Sequence, residues 1–188
     1  MPRLSDKNRK REKDLKKEMV GLLPRLRRFA RGLAKDPELA DDLVQDACER
    51  ALERLDQVRE NTRIDSWMYR IVYTRWIDRL RRQKTRKAHL ILMSVENRQR
   101  TPDGSSTDER LHAALDIRTA LNALPEVHRA AIVLVVVEGY GYSEAAKILD
   151  LPVGTVASRV ARARGMLNKL LAYQEQTRLN NNARNQGN

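Results

Sequence analysis

The chain has 188 residues, a length that suits one ordinary domain or two small ones, and 41% of them are hydrophobic, enough for a core. Its formal net charge is +12, and its one cysteine, Cys48, excludes an intrachain disulfide and a paired-cysteine metal site. The longest apolar run, 130–137, is too short to cross a bilayer, and no apolar segment follows the basic start as in a signal peptide. We therefore expect a reducing, cytoplasmic environment.

The charge is distributed in blocks of alternating sign. Residues 1–35 hold 13 Lys and Arg against 4 Asp and Glu, residues 36–63 hold 4 against 9, and residues 64–88 hold 8 against 2. A purely non-specific nucleic-acid binder has little use for an acidic block between two basic ones. The pattern favours phosphate as the partner of the basic blocks and a basic protein surface as the partner of the acidic one. The alternative is that these charged blocks only form solvent-exposed helix faces and bind no partner.

The chain begins with a basic segment. Residues 1–13 lack apolar periodicity, so we expect them to be disordered. From Leu15 onward apolar residues recur at three- and four-residue steps, which predicts a first helix that Pro24 interrupts or starts.

Two further helices are predicted before residue 88. The second begins at Asp36 and Pro37, because Asp is a favoured cap and Pro fits the first helical turn, and it runs to about Leu55. Thr62 followed by Asp65 resembles a capping box for the third helix. The third helix is expected to carry Ile64, Trp67, Met68, Ile71, Val72 and Leu80 inward. It leaves Arg75, Arg79, Arg81 and Arg82 for solvent or DNA.

Periodicity is lost between residue 85 and about residue 108, where 101–107 has a linker composition. About 24 extended residues reach roughly 80 Å, at ~3.3–3.6 Å each. Further helices are predicted near 109–123, 126–138, 143–149 and 154–172. The β-branched run 132–137 could alone be a buried strand, but we predict helix because Pro125 suits a helix start and its neighbours are helical.

The clearest local pattern in the second half is a helix-turn-helix. The segment 150–153 forms the turn, Pro152 prevents continuation of the first helix, and Gly154 opens the second. The inner stripe of this second helix consists of Val156, Val160, Leu167, Leu170 and Leu171. Its outer face carries small side chains and one long cation, namely Ala157, Ser158, Ala161 and Arg162.

This outer face suits a recognition helix that lies in the major groove of DNA. Small side chains allow close approach to base edges, Arg162 can bond guanine through two donors, and Ser158 can bond a base or a phosphate. The two alanines can touch a thymine methyl, whereas Arg159 and Arg164 are expected to hold phosphates. A basic helix that only packs and faces solvent is the alternative, which the tight turn and the small side chains disfavour.

Segments in both halves carry a set of motifs in a fixed order. The second half contains Leu124-Pro-Glu-Val-His-Arg129, followed by 141–146 and 152–164; the first contains 22–30, Ala40-Asp-Asp-Leu-Val-Gln-Asp46, 66–71 and 77–81. In these segments, over roughly 20–87 and 109–172, the sequence resembles the extracytoplasmic-function (ECF) group of bacterial RNA polymerase sigma factors.

The resemblance implies a fold and a division of labour. The fold would be all-α, with two small helical modules joined by a flexible linker, the second module containing the helix-turn-helix. Residues 14–87 would bind core RNA polymerase and open the minus-ten element, and residues 109–173 would recognise the minus-thirty-five element. Those elements lie some two helical turns apart, which accounts for the linker 88–108. The tail 174–188 is expected to be disordered.

The resemblance also assigns residues to each partner. Polymerase would contact the acidic stripe Asp42, Gln45, Asp46 and Glu49, through complementary charge. Minus-ten DNA would contact Asn61 in the loop before the third helix and Tyr73, Thr74, Arg75, Trp76 and Arg79 on it. Minus-thirty-five DNA would contact Tyr142, Thr155, Ala157, Ser158, Arg159, Ala161, Arg162 and Arg164. No cofactor or metal is expected. The expected regulator is an anti-sigma factor that covers both DNA-facing surfaces, and the apolar segment 132–137 and the flexible linker favour such control.

Individual positions qualify this assignment. Trp67 lies on the apolar stripe of the third helix and is expected in the core, whereas Tyr73 and Trp76 lie off it and are better candidates for DNA. Thr74 stands where the family usually has Asn, and its hydroxyl lacks the two-bond amide contact, so the resemblance does not assign a base preference at minus-ten. Val135 and Ala157 are apolar where the family often has charged side chains, so the minus-thirty-five preference is expected either to be unusual or to be carried mainly by Arg162.

Two other classes of function are compatible with parts of the sequence. A helix-turn-helix repressor or activator acting without polymerase would explain 143–164 but leave the acidic stripe without a role. A nucleic-acid enzyme is disfavoured because the three histidines, His89, His112 and His128, are scattered, and no zinc-deaminase, HExxH or Walker motif occurs.

Overall fold

The computed structural model describes residues 6–34, 36–91, 117 and 119–186, and all regular structure in these ranges is helical. The helices are α1 (Asp6–Leu33), α2 (Pro37–Leu52), α3 (Ile64–Ile91), α4 (Glu126–Ile132), α5 (Tyr142–Leu149) and α6 (Val153–Gln186). A 3₁₀ turn, Leu55–Gln57, precedes α3, and a π-helical turn, Val133–Val137, follows α4. The all-α prediction is confirmed. We call α1–α3 the first module and residues 119–186 the second module.

The helix α1 is longer than the sequence predicted. It begins at Asp6, so the expectation of disorder over 1–13 is wrong from that residue onward, and it continues through Pro24. An ion pair between Glu12 and Lys16, one helical turn apart, supports the early part. Pro24 has no amide hydrogen, so the carbonyl of Val20 loses its helical hydrogen bond. Val20 is 65% exposed, so water can bind this carbonyl and the proline is tolerated.

The start of α2 agrees with its prediction, whereas that of α3 does not. The Asp36 side chain accepts a hydrogen bond from the amide of Glu38 at 2.9 Å, as a helix cap does. Thr62 caps nothing, because α3 begins two residues later and Asp65 bonds the amide of Ser66 instead. The predicted capping box is therefore wrong. The helix α3 extends to Ile91, into the predicted linker, and most of that linker, 92–108, lies outside the described residues.

The second module contains the predicted helices with shifted ends. Residues 117 and 119–123 are helical, while the remainder of the helix predicted at 109–123 lies outside the described residues. The run 132–137 is helical, ending in the π-helical turn, so the strand alternative is wrong. The last helix reaches Gln186, so the expectation of disorder over 174–188 is wrong up to that residue. Once a helix has started, each added residue gains a backbone hydrogen bond, which favours its extension.

The two modules pack against each other through one continuous core. From the first module, Phe29 and Tyr69 are fully enclosed, and from the second, Val133 and Leu134 are as well. Ring contacts cross the boundary, since the Tyr69 ring lies 5.1 Å from that of Tyr140 in an edge-to-face arrangement. The charged surfaces of the two modules are therefore held in a fixed relation.

Candidate nucleic-acid and protein interfaces

The helix-turn-helix consists of α5, a tight turn and the start of α6. Asp150 adopts a left-handed conformation (φ 56°, ψ 52°), and the amide of Leu151 donates to the carbonyl of Ala146 at 3.0 Å, which ends α5. The carbonyl of Pro152 then accepts from the amide of Thr155 at 3.0 Å, so α6 starts immediately. This turn fixes the angle at which α6 leaves the domain.

The outer face of α6 is open to solvent, as the sequence predicted. Val156, Val160 and Ala163 are fully buried on the inner side. Of the predicted minus-thirty-five residues, Tyr142, Ala157, Ser158, Ala161, Arg162 and Arg164 are exposed, and Thr155 and Arg159 are half-buried. The Ser158 hydroxyl donates to the Thr155 carbonyl at 2.9 Å, which leaves its oxygen lone pairs for an external donor. The face is shaped for close approach to a duplex.

Arg159 links this face to the first module. Burial raises the pKa of Tyr73 on α3, and the positive charge of the nearby Arg159 guanidinium opposes that rise. Tyr73 is a predicted minus-ten residue and Arg159 a predicted minus-thirty-five residue. The structure therefore places members of the two predicted DNA-binding sets close to each other.

The predicted minus-ten residues are partly dispersed. Asn61, Thr74 and Arg79 are exposed and Arg75 is half-buried, but Trp76 is only 5% exposed. The expectation that Trp76 lies off the apolar stripe is wrong. The buried row of α3 follows the four-residue step Ile64, Met68, Val72 and Trp76, whereas Trp67, expected in the core, is half-buried beside it.

A groove between α2 and α3 was missed by the sequence analysis. It has a volume of about 300 Å³, and the half-buried Trp67 lies in its wall next to Thr74. Four arginines line it as well, namely Arg50, Arg54, Arg70 and Arg75. Proteins that bind single-stranded DNA contact its phosphates with cations and stack its bases on aromatic rings. This groove offers both kinds of group. Arg50 and Arg54 lie at i and i+4 on and just after α2, a spacing that could have indicated a shared face.

The acidic stripe of α2 is intact. Asp42, Gln45, Asp46 and Glu49 are all exposed, opposite the buried Leu43, Val44, Ala47 and Ala51. The Gln45 amide donates to Glu49 at 3.0 Å, which orders the stripe. At its edge an Asp42 oxygen lies 3.8 Å from an Arg79 nitrogen on α3, so the acidic stripe borders the basic helix directly. The arrangement presents opposite charges on neighbouring helices.

The loop before α3 is tied to the N-terminal extension of α1. The guanidinium of Arg11 donates to the carbonyl of Val58, whose side chain is buried. The following residues Arg59, Glu60 and Asn61 are exposed. The extension thus fixes the base of the loop that carries Asn61, a contact that a disordered start could not make.

The described residues also bear on catalytic and membrane functions. No group of His, Cys, Asp and Glu side chains in the described ranges is arranged to hold a metal ion. Burial raises the pKa of the Cys48 thiol, which makes it a poorer nucleophile. None of the described helices combines the length and the apolar character that a bilayer crossing requires.

Comparisons with known proteins agree with this geometry. The family model described as Sigma-70 region 2 matches residues 20–86, and that of Sigma-70, region 4, matches residues 114–167. The ECF RNA polymerase sigma factor SigM of Mycobacterium tuberculosis is 36% identical over 148 residues, which cover 79% of this chain and 72% of that protein. The ECF RNA polymerase sigma factor EcfG of Rhodopseudomonas palustris is 32% identical over 158 residues, which cover 84% of each.

Solved structures show the same architecture. The sigma factor RpoE, solved in complex with the anti-sigma factor NepR from Bartonella quintana, superposes with a TM-score of 0.70 at 31% identity, covering 85% of this chain and 98% of that one. CnrH, solved in complex with the cytosolic domain of CnrY, gives a TM-score of 0.61 at 26% identity, covering 85% and 88%. Region 2 and region 4 match this chain in that order, and two of the similar proteins are ECF sigma factors. The chain therefore belongs to the ECF group of RNA polymerase sigma factors.

Proposed function

We propose that this sigma factor binds core RNA polymerase through the acidic stripe of α2 and recognises promoters through α3 and α6. The observation that carries this proposal is the juxtaposition of charges: the exposed Asp46 stripe borders the arginine-bearing face of α3, while the small-residue face of α6 is open. Complementary charge orients a protein partner and speeds its association. Phosphate contacts then position the DNA, and a few base contacts specify it.

Each DNA-facing surface has its own task. On α6, Arg162 recognises a base of the minus-thirty-five element, and Arg159 and Arg164 hold phosphates. The groove lined by Trp67 and Thr74, with the exposed loop residue Asn61 nearby in sequence, receives the separated strand of the minus-ten element. Trp76 is not part of this proposal, because its side chain is enclosed.

The chain acts by positioning, in the cytoplasm, and contributes no catalytic group of its own. RNA synthesis would be the work of the polymerase, and the sigma factor supplies affinity for promoter DNA. The experiment that tests this is run-off transcription with purified core polymerase on a library of promoters. Enrichment of one pair of elements at a fixed spacing supports the proposal. Transcripts that are independent of the added chain would contradict it.

Regulation by an anti-sigma factor completes the proposal. The sigma factor RpoE was solved in complex with the anti-sigma factor NepR from Bartonella quintana, and CnrH was solved in complex with the cytosolic domain of CnrY. The apolar segment 132–137 was expected to favour such a partner, but Ile132, Val133 and Leu134 are buried, and within the segment only Val136 and Val137 are exposed. An inhibitor of this chain would therefore bind elsewhere or separate the modules. Co-purification of a stoichiometric inhibitor from the native cell would support this control, and its absence from a pull-down would argue against it.

A further inference from the structure

Five cations form one stripe along the early turns of α1. They recur at three- and four-residue steps, the spacing that places side chains on one helix face. All five are exposed, namely Arg9, Lys10, Lys13, Lys16 and Lys17. Leu15 and Leu22, which pack against the core, lie on the opposite face of the helix. The five cations, which we call the basic stripe, therefore point away from the first module.

Most of the charge of the basic stripe is not neutralised by the protein. Lys16 pairs with Glu12, and no other member of the stripe forms an ion pair within the described residues. Cations one helical turn apart repel each other, and Arg9, in the first turn of α1, also meets the positive end of the helix dipole. The stripe therefore opposes the helix that carries it, unless a negative partner lies against it.

The basic stripe is held beside the loop that carries Asn61. Arg11, on the inner side of α1, donates to the carbonyl of Val58 at the base of this loop. Lys10 of the stripe and Glu60 of the loop line one groove, with a volume of about 370 Å³. The proposed function places the separated minus-ten strand at this loop. The duplex that adjoins that strand therefore passes near the stripe.

Acidic side chains border the stripe on the side of the loop. Asp14, Glu18 and Glu60 line the same groove as Lys10. Phosphates are repelled from this acidic edge and attracted to the outer side of α1, where the cations of the stripe point. The arrangement of charges thus favours one path for a polyanion, along the outside of the helix.

The shape of the stripe fits duplex DNA better than a lipid surface. From Arg9 to Lys17 the helix rises by roughly 12 Å, a length over which a duplex carries about seven charges. A helix that lies on a membrane buries an apolar face in the lipid next to its cations. The apolar face here, with Leu15 and Leu22, already packs against the core.

We propose that the basic stripe is a further DNA-binding surface, which holds phosphates of the duplex next to the minus-ten element. Its affinity for duplex phosphate does not depend on the proposed function, whereas its position beside the minus-ten element rests on it. Such contacts add affinity that salt weakens, and they carry no sequence information. The stripe precedes the matched region 2, so that match does not account for it.

The salt dependence of binding to a short duplex of arbitrary sequence tests the stripe in the free, full-length chain. The combined change Lys10→Gln, Lys13→Gln and Lys17→Gln removes three charges. The slope of log K against log salt is expected to become shallower by about 2 to 3, at ~0.9 for each phosphate contact, and affinity at low salt to fall by about tenfold or more. Arginine at the same three positions keeps the charge and is expected to retain the slope. An unchanged slope in the glutamine variant, with helix content intact by circular dichroism, would overturn the proposal.

A pair of single variants separates a local contact from an effect of net charge. Lys13→Gln, in the stripe, is expected to reduce the slope by about 0.9. Lys169→Gln makes the same change at an exposed position of α6 outside the predicted DNA-binding sets and is expected to leave it unaltered. Equal slopes for the two variants would contradict a located stripe. If the stripe variants lose binding to phosphatidylserine vesicles but not to the duplex, lipid is the partner and the proposal fails.

Directed DNA cleavage by the holoenzyme tests the position of the stripe. An iron chelate is attached at Lys13→Cys in a Cys48→Ala background, and the complex with core polymerase is formed on the promoter selected by run-off transcription. Cuts are expected in the duplex within about 10 base pairs of the minus-ten element, one helical turn. Cuts elsewhere, or the same cuts from a chelate at Lys169→Cys, would overturn this position. If the holoenzyme opens no promoter, the proposed function fails, and the salt slopes of the free chain still decide whether the stripe binds DNA.

Discussion

Arg162 is the long side chain on the outer face of α6 with the clearest opportunity to bond a base. It is exposed, and its neighbours on that face, Ala157 and Ala161, are too small to hold it away from DNA. Burial together with the charges of Arg162 and Arg159 lowers the pKa of His128, so this face is cationic without help from histidine. Because the neighbouring alanines are small, we expect base selection on this face to depend on Arg162.

Arg162→Ala is expected to weaken selection of one base pair in the upstream element by about 1–3 kcal/mol. Arg164→Ala serves as the matched control, because a phosphate contact contributes equally on every sequence and its loss lowers the salt dependence of binding. Binding to a panel of single-base variants at two salt concentrations distinguishes the two. If Arg162→Ala weakens all sequences equally, Arg162 is only a phosphate contact.

The two tryptophans of α3 exchange their expected environments. Trp76→Ala is expected to lower the free energy of unfolding by about 3–5 kcal/mol, because a large enclosed ring is removed from the core. Trp67→Ala is expected to cost less, since Trp67 is half-buried at the groove, and to impair strand opening. Urea unfolding and permanganate reactivity of promoter DNA measure the two effects. A stable Trp76→Ala protein that fails to open DNA would contradict this assignment.

Sequence periodicity could not place these rings, because one helix here touches neighbours on more than one side. The stripe that contains Trp67 and the row that ends at Trp76 are both apolar, and only the packing of α1 and α2 against α3 decides which is enclosed. The small outer face of α6, in contrast, was predictable, since one stripe there is apolar and the other is not.

At the scale of elements, α2 illustrates how one helix serves two purposes. Its apolar stripe, with Leu43 and Ala47 at its centre, packs into the first module, and its acidic stripe faces out. The acidic residues are not needed for the core, so a reversal of charge should leave the fold unaffected. This separation makes the polymerase contact testable by substitution.

Asp46→Arg is expected to reduce affinity for core polymerase at least tenfold while helix content stays the same, because it replaces an attraction by a repulsion at the interface. Glu53→Arg is the control, since Glu53 is equally exposed but lies beyond the end of α2. Association measured with immobilised core polymerase gives the comparison. Equal affinities for the two variants and the parent would remove the role of the acidic stripe.

Element boundaries were less predictable than element existence. Pro24 and the basic composition of 1–13 indicated a break and a disordered start, yet α1 runs through both. Its early part is held by a tertiary contact, Arg11 with the carbonyl of Val58, which no local pattern reveals. The same holds for the docking of the modules, since Glu138 accepts hydrogen bonds from Arg28 and Tyr69, which lie more than 60 residues earlier in the chain.

At the scale of the whole molecule, docking depends on charge at the module boundary. Burial raises the pKa of Glu138, but its hydrogen bonds outweigh burial and set it below the ordinary value of 4.5. Asp65, also at the boundary, has a lowered pKa because its bonds with Arg63, Ser66 and Tyr140 outweigh its burial. Two carboxylates therefore favour docking in their charged form.

Docking is consequently expected to be independent of pH between about 6 and 8, and to weaken as pH falls below the ordinary carboxylate range. A carboxylate with a depressed pKa contributes its full stabilisation above its ordinary pKa, and that contribution is lost as pH falls through the depressed value. Energy transfer between dyes at Glu53→Cys and Lys169→Cys, which are exposed positions in the first and second module, tests this in a Cys48→Ala background. It is measured in the parent and in Glu138→Gln from pH 7 to pH 3. The parent should lose more docking than the variant, and identical profiles would contradict the account.

The most direct test of the whole account is the equilibrium binding of the purified chain, free of any inhibitor, to core RNA polymerase. The opposite charges of α2 and α3 predict a saturable one-to-one complex that weakens with added salt and with Asp46→Arg, and that then initiates at a defined promoter. A chain that binds DNA but shows no affinity for the polymerase would contradict the account and leave an ordinary helix-turn-helix protein.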